Sequence, residues 1–344
     1  MCSPLISVII PAYNAEATIC DALNSVFNQS FVDYEVIVVD DCSSDSTAMI
    51  LTQYLNHKNY CFVSQSSNRG VSAARNRGLA LAKGVWTCFL DADDLLAPDY
   101  LRSFEPVLNK DVDLILSGIA YQSEGKLTFK RNASKESLSR DALGKLAVHI
   151  IDNKLCDFSG CNPEILGFPV GKLYKTQLAV QIGFNEDIGM REDALFNLCY
   201  FAKAQSAISL TDSSYIYRLT PGSASLRFRS NYQTEVKRFI LACSDVWDAE
   251  GFEKKSLDVG ILYAYMSWLK LFALHKDRDF PISDSLRLIN DSFTDPIWAN
   301  AFSSVSSSDV PKVYSILAKF FESNNAVGIC VLKFANDFKK AVIK

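Results

Sequence analysis

The sequence has 344 residues, of which 49% are hydrophobic and 22% are charged, and its formal net charge is −4. This composition is typical of a globular protein with one large domain or two modest ones, and it excludes a disordered chain. The slight negative charge makes nucleic acid a poor candidate partner, and no apolar run approaches the ~20 residues of a membrane span.

Short apolar runs alternate with helical patterns through the first third of the chain. The predicted strands are Leu5–Ile10, Glu35–Val39, Tyr60–Ser64, Val85–Leu90 and Val112–Ser117, and the predicted helices are Glu16–Phe27, Asp45–Tyr54 and Ser72–Lys83. Apolar strands that are separated by helices are typical of a parallel sheet covered on both faces. The sequence therefore predicts an α/β fold with a mostly parallel sheet.

Long helical patterns replace the strands in the last third. They cover Thr234–Glu250, Leu257–Leu274, Val310–Phe321 and Ala326–Ile343. We predict a boundary near Leu226–Ser230, which gives a first domain of residues 1–228 and a helical C-terminal region of residues 229–344.

The last helix carries two distinct faces. Polar residues on one face are Lys333, Asn336, Asp337, Lys340 and Lys344, and apolar residues on the other are Val327, Val331, Phe334, Phe338 and Val342. Two interpretations stay open: a terminal helix packed on its domain, and a peripheral contact with an anionic membrane surface.

Polar clusters stand where four of the predicted strands end. Tyr13 follows the first strand, Asp41 the second, Asn68–Gly70 the third and Asp91–Asp94 the fourth. Parallel sheets bind ligands at the carboxyl ends of their strands, so these residues are expected to line one site. Tyr13 can cover a base, Asp41 can accept a hydrogen bond from a base N–H, and Arg75 can meet a phosphate. Taken singly, Tyr13 is more often a packing residue and Arg75 a solvated one.

Three carboxylates come together in the DADD sequence of residues 91–94, where a turn or a helix cap needs only one. Close carboxylates repel one another unless a cation or ligand lies among them. A calcium EF-hand loop is excluded, because Leu96 and Arg102 stand where that loop needs Gly and Glu. Hard oxygen ligands with open positions suit Mg²⁺ or Mn²⁺ bridging a diphosphate.

Two common nucleotide-binding motifs are missing from the sequence. No GxGxxG follows the first strand and no GxxxxGK[ST] occurs, which disfavours a dinucleotide dehydrogenase and a P-loop NTPase. A nucleotidyltransferase stays open as an alternative, although PAYNAEAT after the first strand lacks the glycine and basic residue of a triphosphate loop. A non-catalytic module that binds sugar nucleotides is a further alternative.

Four motifs in order resemble those of a family 2 glycosyltransferase with the GT-A fold. They are SVIIPAYN (Ser7–Asn14), VVDDCSSD (Val38–Asp45), NRGVSAARNRGLALAKG (Asn68–Gly84) and FLDADD (Phe89–Asp94). The resemblance continues through GKLYK (Gly171–Lys175), REDALF (Arg191–Phe196) and YIYRLTPGSAS (Tyr215–Ser225), and so covers about two-thirds of the chain. It implies a Rossmann-like GT-A sheet and an inverting transfer from a nucleotide-diphosphate sugar.

The resemblance also implies roles for single residues. Donor-binding roles would fall to Pro11, Tyr13, Asp41, Arg75 and Asp91, with Tyr13 and Asp41 at uracil, Arg75 near the diphosphate and Asp91 at the ribose. Asp93 would ligate Mn²⁺ or Mg²⁺, and whether Asp94 shares that role is left open.

The catalytic base would be Asp193, in the sequence Arg191-Glu192-Asp193. A carboxylate opposite the leaving group can take the proton of the attacking acceptor hydroxyl. The alternative for these acidic residues is a favourable charge in the first turn of a helix. Lys172 fits the GKLYK pattern of the family, but no role is assigned to it.

The resemblance further suggests substrates and a cellular location. We expect transfer of one hexose, from UDP-glucose or UDP-galactose, to undecaprenyl-diphosphate-linked GlcNAc or GalNAc, with a β-linkage in O-antigen or capsule repeat units. Because QxxRW and membrane spans are lacking, one sugar should be added per encounter. Ten cysteines without CxxC or zinc-ligand spacing indicate reduced thiols. We therefore expect a cytoplasmic protein, with a possible peripheral position on the inner membrane.

Overall fold

The chain folds into two compact units, residues 1–150 with 155–221 and residues 151–154 with 222–344. The computed structural model describes residues 3–132, 134–152, 162, 165–212, 214–219, 228–306 and 308–342, with side chains described up to residue 335 at the C-terminal end. Part of the boundary predicted at Leu226–Ser230 lies outside the described residues, and so does the end of the Tyr215–Ser225 motif. The exact domain limit therefore stays a prediction.

Twelve strands are described, all of them in the first unit. They are β1 (Ile6–Ala12), β2 (Tyr34–Asp40), β3 (Tyr60–Ser64), β4 (Trp86–Phe89), β5 (Leu95–Leu96), β6 (Leu114–Leu116), β7 (Ile119–Ser123), β8 (Lys126–Lys130), β9 (Glu136–Ser139), β10 (Lys172–Lys175), β11 (Ser206–Ser209) and β12 (Tyr215–Arg218). They form two sheets, of eight and four strands.

The eight-stranded sheet has the order β3-β2-β1-β4-β10-β6-β11-β9. Strands β1 to β4 are parallel, and β11 is parallel to β6. Strand β10 runs antiparallel between β4 and β6, and β9 is antiparallel to β11. The prediction of a mostly parallel sheet is confirmed. The apolar runs of β1 and β2 are buried throughout because helices cover both faces.

The second sheet, in the order β5-β12-β7-β8, is not predicted from the sequence. Its strands are short, and three of the five residues of β8 are polar. Strand β8 (KLTFK) does alternate polar and apolar residues, but patterns of two to five residues are too short to be assigned to strands from the sequence alone. This sheet matters for the site because β12 lies against the acidic DADD loop.

Thirteen helices surround and follow the sheets in the described residues. They are α1 (Ile19–Phe27), α2 (Thr47–Thr52), α3 (Val71–Leu81), α4 (Tyr100–Ser103), α5 (Arg140–Asp152), α6 (Thr176–Ile182), α7 (Glu192–Lys203), α8 (Tyr232–Glu250), α9 (Lys254–Trp268), α10 (Ile282–Ser292), α11 (Pro296–Ser304), α12 (Lys312–Glu322) and α13 (Ala326–Val342). The C-terminal region is helical, as predicted.

Helices α10 and α11 are absent from the sequence prediction, although α11 has a recognisable start. Asp295 caps it by accepting a hydrogen bond from the Ile297 N–H at 3.1 Å, and Pro296 occupies the first helical position. An Asp-Pro pair at this position is a common helix start. The predicted helix Leu257–Leu274 is divided, because α9 ends at Trp268 and a π-helical turn covers Leu269–Ala273.

Helix α3 packs very closely against β1. A Cβ atom built at Gly78 would lie 2.3 Å from Cγ2 of Ile9, a fully buried side chain. No other residue type fits there without moving the helix. This contact fixes the height of α3 above the sheet, and Arg75 lies one turn earlier on the same helix.

Helix α13 packs through a face that the sequence does not predict. The sequence places Lys333 on the polar face, but only 8% of it is exposed and its Nζ donates to the Leu274 carbonyl at 3.0 Å. That carbonyl follows the π-helical turn, and the long lysine stem can be buried while its amine meets an acceptor. Val327, Val331 and Phe334 are instead exposed by 64%, 62% and 50%. The predicted face positions of Asn336, Asp337, Phe338, Lys340, Val342 and Lys344 lie outside the described side chains.

None of the described helices is long and apolar enough to cross a membrane. No disulfide joins the cysteines that the structure describes, which are Cys20, Cys42, Cys61, Cys88, Cys199, Cys243 and Cys330. Cys2, Cys156 and Cys161 lie outside the described residues.

Candidate functional site

Asp41 organises the loop between β3 and α3. Its buried carboxylate accepts hydrogen bonds from the backbone N–H groups of Arg69 at 2.8 Å and Gly70 at 2.7 Å, and from the Gln65 side chain at 2.8 Å. Gly70 has φ of 89°, which favours glycine, and α3 begins directly after it. Asp41 therefore fixes the start of the helix that carries Arg75, and its role at a base stays a prediction.

Two further predicted donor residues lie at the end of β1. Pro11 is buried within the strand, which continues to Ala12 rather than stopping at Ile10 as predicted. Tyr13 follows the strand and is 51% exposed. A half-exposed ring at this edge is available to a ligand, whereas Pro11 can contribute only to the shape of the strand end.

The three carboxylates of the DADD loop have different surroundings. Asp93 is exposed, Asp91 is partly buried beside Arg75, and Asp94 is buried with 1% of its surface exposed. Although the Asp93 side chain is exposed, the surrounding protein partly desolvates its carboxylate, and this desolvation, followed by the charge of Asp91, raises the pKa of Asp93 above its ordinary value. Of these three, Asp93 thus offers the most open carboxylate.

Asp94 holds the DADD loop against β12. Its carboxylate accepts hydrogen bonds from the Tyr215 hydroxyl at 2.7 Å and from the Arg218 N–H at 2.8 Å, both on β12. Burial, and next the charge of Asp91, raise its pKa to about 8. The sequence alone does not decide whether Asp94 also ligates a metal, and these two bonds favour a positioning role.

Tyr215 and Arg218 are site residues to which the sequence reasoning gave no role. The Tyr215 hydroxyl also accepts from the Asp91 N–H at 3.3 Å. The Arg218 guanidinium donates to the Asp93 carbonyl and pairs with Asp21 of α1 at 3.0 Å. Tyr215 and Arg218 are three positions apart in YIYR, so strand alternation alone does not place both of them at the loop, and the sequence carries no local signal for this pair.

Arg75 joins the acidic loop to the start of α7. Its buried guanidinium pairs with Asp91 at 3.0 Å and with Glu192 at 3.3 Å, and its carbon lies 5.2 Å from the centre of the Phe184 ring. The Nε atom has no hydrogen-bond partner among the described residues. A buried cation with two carboxylates is strongly held, and removing one partner would leave a buried charge.

Asp193 lies in the first turn of α7, next to Glu192. Burial, and next the Glu192 charge, raise its pKa to about 7, while the Arg75 charge acts in the opposite direction. Arg191, directly before, has the left-handed φ of 60°. The structure therefore brings Arg75, Asp91 and Asp193 into one electrostatic cluster, and a carboxylate whose pKa is near neutral suits a general base.

The residues present fit a divalent cation that binds together with a ligand. Among the described residues, no three carboxylate, histidine or cysteine side chains converge on one point. Of the three carboxylates of the DADD loop, Asp93 is the exposed one, so most of the coordination sphere would come from elsewhere. Mg²⁺ and Mn²⁺ commonly bind in this way, through one or two carboxylates plus substrate phosphates.

Lys172, for which no role was predicted, is buried and holds the chain before β10. Its Nζ donates to the carbonyls of Ile165, Phe168 and Val170, so this lysine is not available to a ligand.

Comparisons with a protein family and with a related protein both match this chain to glycosyltransferases. The family described as Glycosyl transferase family 2 matches residues 7–177. The uncharacterized glycosyltransferase EpsJ of Bacillus subtilis is 28% identical over 225 residues, which are 64% of this chain and 62% of that protein. The chain thus spans less than two thirds of this relative's length.

The fold has close counterparts among solved structures. The crystal structure of Staphylococcus aureus TarS 1–349 in complex with UDP-GlcNAc has a TM-score of 0.70 and 20% identity, and the match covers 97% of this chain and 92% of that one. A mannosyltransferase from Pyrobaculum calidifontis, in complex with GDP-Man and Mn²⁺, has a TM-score of 0.50 and 16% identity, with 97% and 88% covered. At these identities the likeness establishes the fold.

Proposed function

We propose that the chain is an inverting, metal-dependent hexosyltransferase. Its residues 7–177 belong to glycosyl transferase family 2, as their motifs predict. The donor would be a UDP-hexose, with UDP-glucose or UDP-galactose as first candidates. The acceptor would be a lipid-linked sugar, of the undecaprenyl-diphosphate GlcNAc or GalNAc type. The product would be a β-linked sugar of a surface polysaccharide, assembled on the cytoplasmic face of the membrane.

One observation carries this proposal: the buried Arg75 guanidinium pairs with Asp91 of the DADD loop and with Glu192, the neighbour of Asp193. A transferase needs a group at the leaving diphosphate and a base at the attacking hydroxyl, within the length of one sugar. Arg75 contacts both sides, since its guanidinium lies 3.0 Å from Asp91 of the loop and 3.3 Å from Glu192 at the start of α7. Asp193 itself lies beyond the matched range, so its role depends on this geometry.

Each residue then has a distinct chemical task. Asp193 accepts the proton of the acceptor hydroxyl as it attacks the anomeric carbon, and one direct displacement inverts that carbon. Asp93 would hold the metal ion, whose charge stabilises the departing diphosphate when it is bound. Asp94, held by Tyr215 and Arg218, keeps Asp93 at the open edge of the loop.

A uridine nucleotide is the donor that the observations favour. TarS, a structural neighbour, has been crystallised with UDP-GlcNAc. In the present chain, the half-exposed Tyr13 and the Asp41 loop lie at the ends of adjacent strands β1 and β2. We propose that uracil binds there, with Tyr13 against its face.

The direct test is to incubate the protein and Mn²⁺ with a panel of nucleotide sugars and a GlcNAc-diphosphate-lipid analogue, and to weigh the products. An acceptor that gains one hexose, with release of UDP, would support the proposal. Release of pyrophosphate would indicate a nucleotidyltransferase instead. Binding of a nucleotide sugar without hydrolysis or transfer would indicate a non-catalytic module.

The pKa of Asp193 predicts a pH dependence. A base must be deprotonated to act, so kcat/KM should rise about tenfold per pH unit below 7 and level off above it. Replacing Glu192 with Gln removes the negative charge that raises this pKa, so the rising limb should move to lower pH. Initial rates between pH 5.5 and 8.5 for both proteins would measure the shift. A limb that stays in place would mean that another group titrates.

The exposed residues of α13 predict a membrane contact that serves a lipid-linked acceptor. We expect a V327S/V331S/F334S variant to lose about tenfold or more activity on acceptor in anionic vesicles, since each fully buried apolar side chain contributes about 1.5–3 kcal/mol. Activity on a short-chain soluble analogue should stay unchanged, because all three side chains face solvent. Leu241→Ser, at a 56% exposed position of α8, is the matched control. Equal losses on both acceptors would contradict the membrane contact.

A further inference from the structure

Two half-buried aromatic rings, those of Phe168 and Tyr217, stack on each other. The proposed chemistry gives neither ring a task. The ring centres of Phe168 and Tyr217 are 5.9 Å apart with 24° between the planes. Tyr121 of β7 meets Tyr217 edge-on at 5.4 Å. All three rings pack against the buried core on one side and are partly exposed on the other.

Tyr217 lies beside the acidic loop. It stands on β12 between Tyr215 and Arg218, the residues whose hydroxyl and N–H bind the Asp94 carboxylate. Alternate residues of a strand point to the same face, so the Tyr217 ring lies on the side of Tyr215, toward that loop. Burial, with the charges of the loop carboxylates, raises its pKa to about 12.

Phe168 is joined to the segment of the candidate base. The Asn197 side-chain amide donates to the Gly167 carbonyl at 2.9 Å and to the Asp193 carbonyl at 3.1 Å. Its oxygen accepts from the Tyr174 hydroxyl at 2.7 Å, which fixes the amide orientation. A Cβ at Gly167 would be 3.7 Å from that of Ala194, so this chain segment packs directly on the first turn of α7.

The buried amine of Lys172 holds the Phe168 segment in place. It is 1% exposed, and it donates to the Ile165 carbonyl at 2.9 Å as well as to those of Phe168 and Val170. Burying an ammonium group is costly unless it is fully hydrogen-bonded. A chain segment with such an anchor holds its partly exposed aromatic side chain in a fixed place, which a binding subsite requires.

We propose that Phe168 and Tyr217 form the subsite on which the pyranose ring of the acceptor sugar packs. The acceptor must bring a hydroxyl to Asp193, and Phe168 is a partly exposed aromatic residue whose chain segment is hydrogen-bonded, through Asn197, to the backbone of Asp193. A pyranose ring has an apolar C–H face that packs on aromatic rings and hydroxyl edges that remain solvated or hydrogen-bonded. This inference rests on the proposed function, since it assigns the sugar to the acceptor rather than the donor.

The test compares Phe168→Ala with Phe168→Tyr, which keeps the ring. Phe129→Ala, at a 49% exposed ring of β8, is the matched control. With methyl β-N-acetylglucosaminide as acceptor, Phe168→Ala should raise the acceptor KM about five- to tenfold, the loss expected for one stacking contact. Acceptor-independent hydrolysis of the UDP-sugar should stay within twofold, and Phe168→Tyr and Phe129→Ala should behave like the unchanged protein.

A binding measurement separates this inference from the proposed function. In the presence of UDP and Mg²⁺, the C–H proton signals of the glycoside should move upfield on binding, and Phe168→Ala should abolish that movement. If the glycoside binds in this way but no donor is ever turned over, the transferase proposal fails and the subsite stands. An unchanged acceptor KM and an unchanged proton shift in Phe168→Ala would overturn the subsite. A parallel loss of donor hydrolysis would overturn it too, since the ring would then only support the fold.

Discussion

Replacing Asp193 with Asn is expected to lower kcat about 10²–10⁴-fold, the range usual for removal of a positioned general base. The amide keeps the size of the carboxylate and can still accept from the Ala194 N–H, which Asp193 binds at 2.7 Å. It cannot take the acceptor proton. Donor binding should survive, because the base acts only on the acceptor hydroxyl, and titration calorimetry with UDP-sugar would measure it.

The nearby Asp187→Asn provides the control for this substitution. Asp187 is an exposed carboxylate in the segment before α7, and the same change there should leave kcat within about twofold, as expected for an exposed position. If UDP-sugar affinity falls in Asp193→Asn together with the rate, the residue supports the fold and the assignment of the base is wrong.

Removing the metal ion is expected to abolish transfer, and Asp93→Ala should have the same effect. The ion would supply the charge that stabilises the departing diphosphate, and Asp93 is the open carboxylate of the loop. Because Asp93 is exposed, its substitution should leave the free energy of unfolding within about 0.5 kcal/mol of the original. Turnover before and after EDTA treatment, and urea unfolding of the variant, are the measurements.

Two further variants make the metal experiment specific. Asp99→Ala, at an exposed position of the same segment, should retain activity and its response to Mn²⁺. Asp94→Ala should lower stability by about 1–3 kcal/mol, because the Tyr215 hydroxyl and the Arg218 N–H lose a buried acceptor. Full turnover in EDTA after exhaustive dialysis would rule out the metal.

Much of the first unit could be predicted from local sequence patterns. Strands β1 to β4 are apolar runs, and the helices between them have helical spacing, so both signals lie within each segment. The same local logic located Asp41 and Asp91 at strand ends. Parallel strands bring their carboxyl ends to one edge, so no long-range information is needed for this part of the site.

The remaining features depend on partners that are distant in the sequence. Asp94 looks equivalent to Asp93 in the sequence, but it is bonded by Tyr215, which is 121 positions away. Only tertiary structure decides which of two adjacent carboxylates is buried. The same applies to Lys333, whose burial depends on the Leu274 carbonyl 59 positions earlier. A charged residue is predicted to be exposed unless its partner is known.

The close contact of Gly78 with Ile9 has a consequence for how mutational data on this protein should be interpreted. A side chain at position 78 would displace α3 and, with it, the guanidinium that pairs with Asp91. A saturation scan scored by activity should therefore find Gly78 about as intolerant as the carboxylates, although it lies inside the fold and touches no substrate. A ranking of positions by their tolerance to substitution would therefore mix residues that set the distance between helix and sheet with residues that bind ligands. A second screen for folded protein would separate a displaced helix from a lost chemical group.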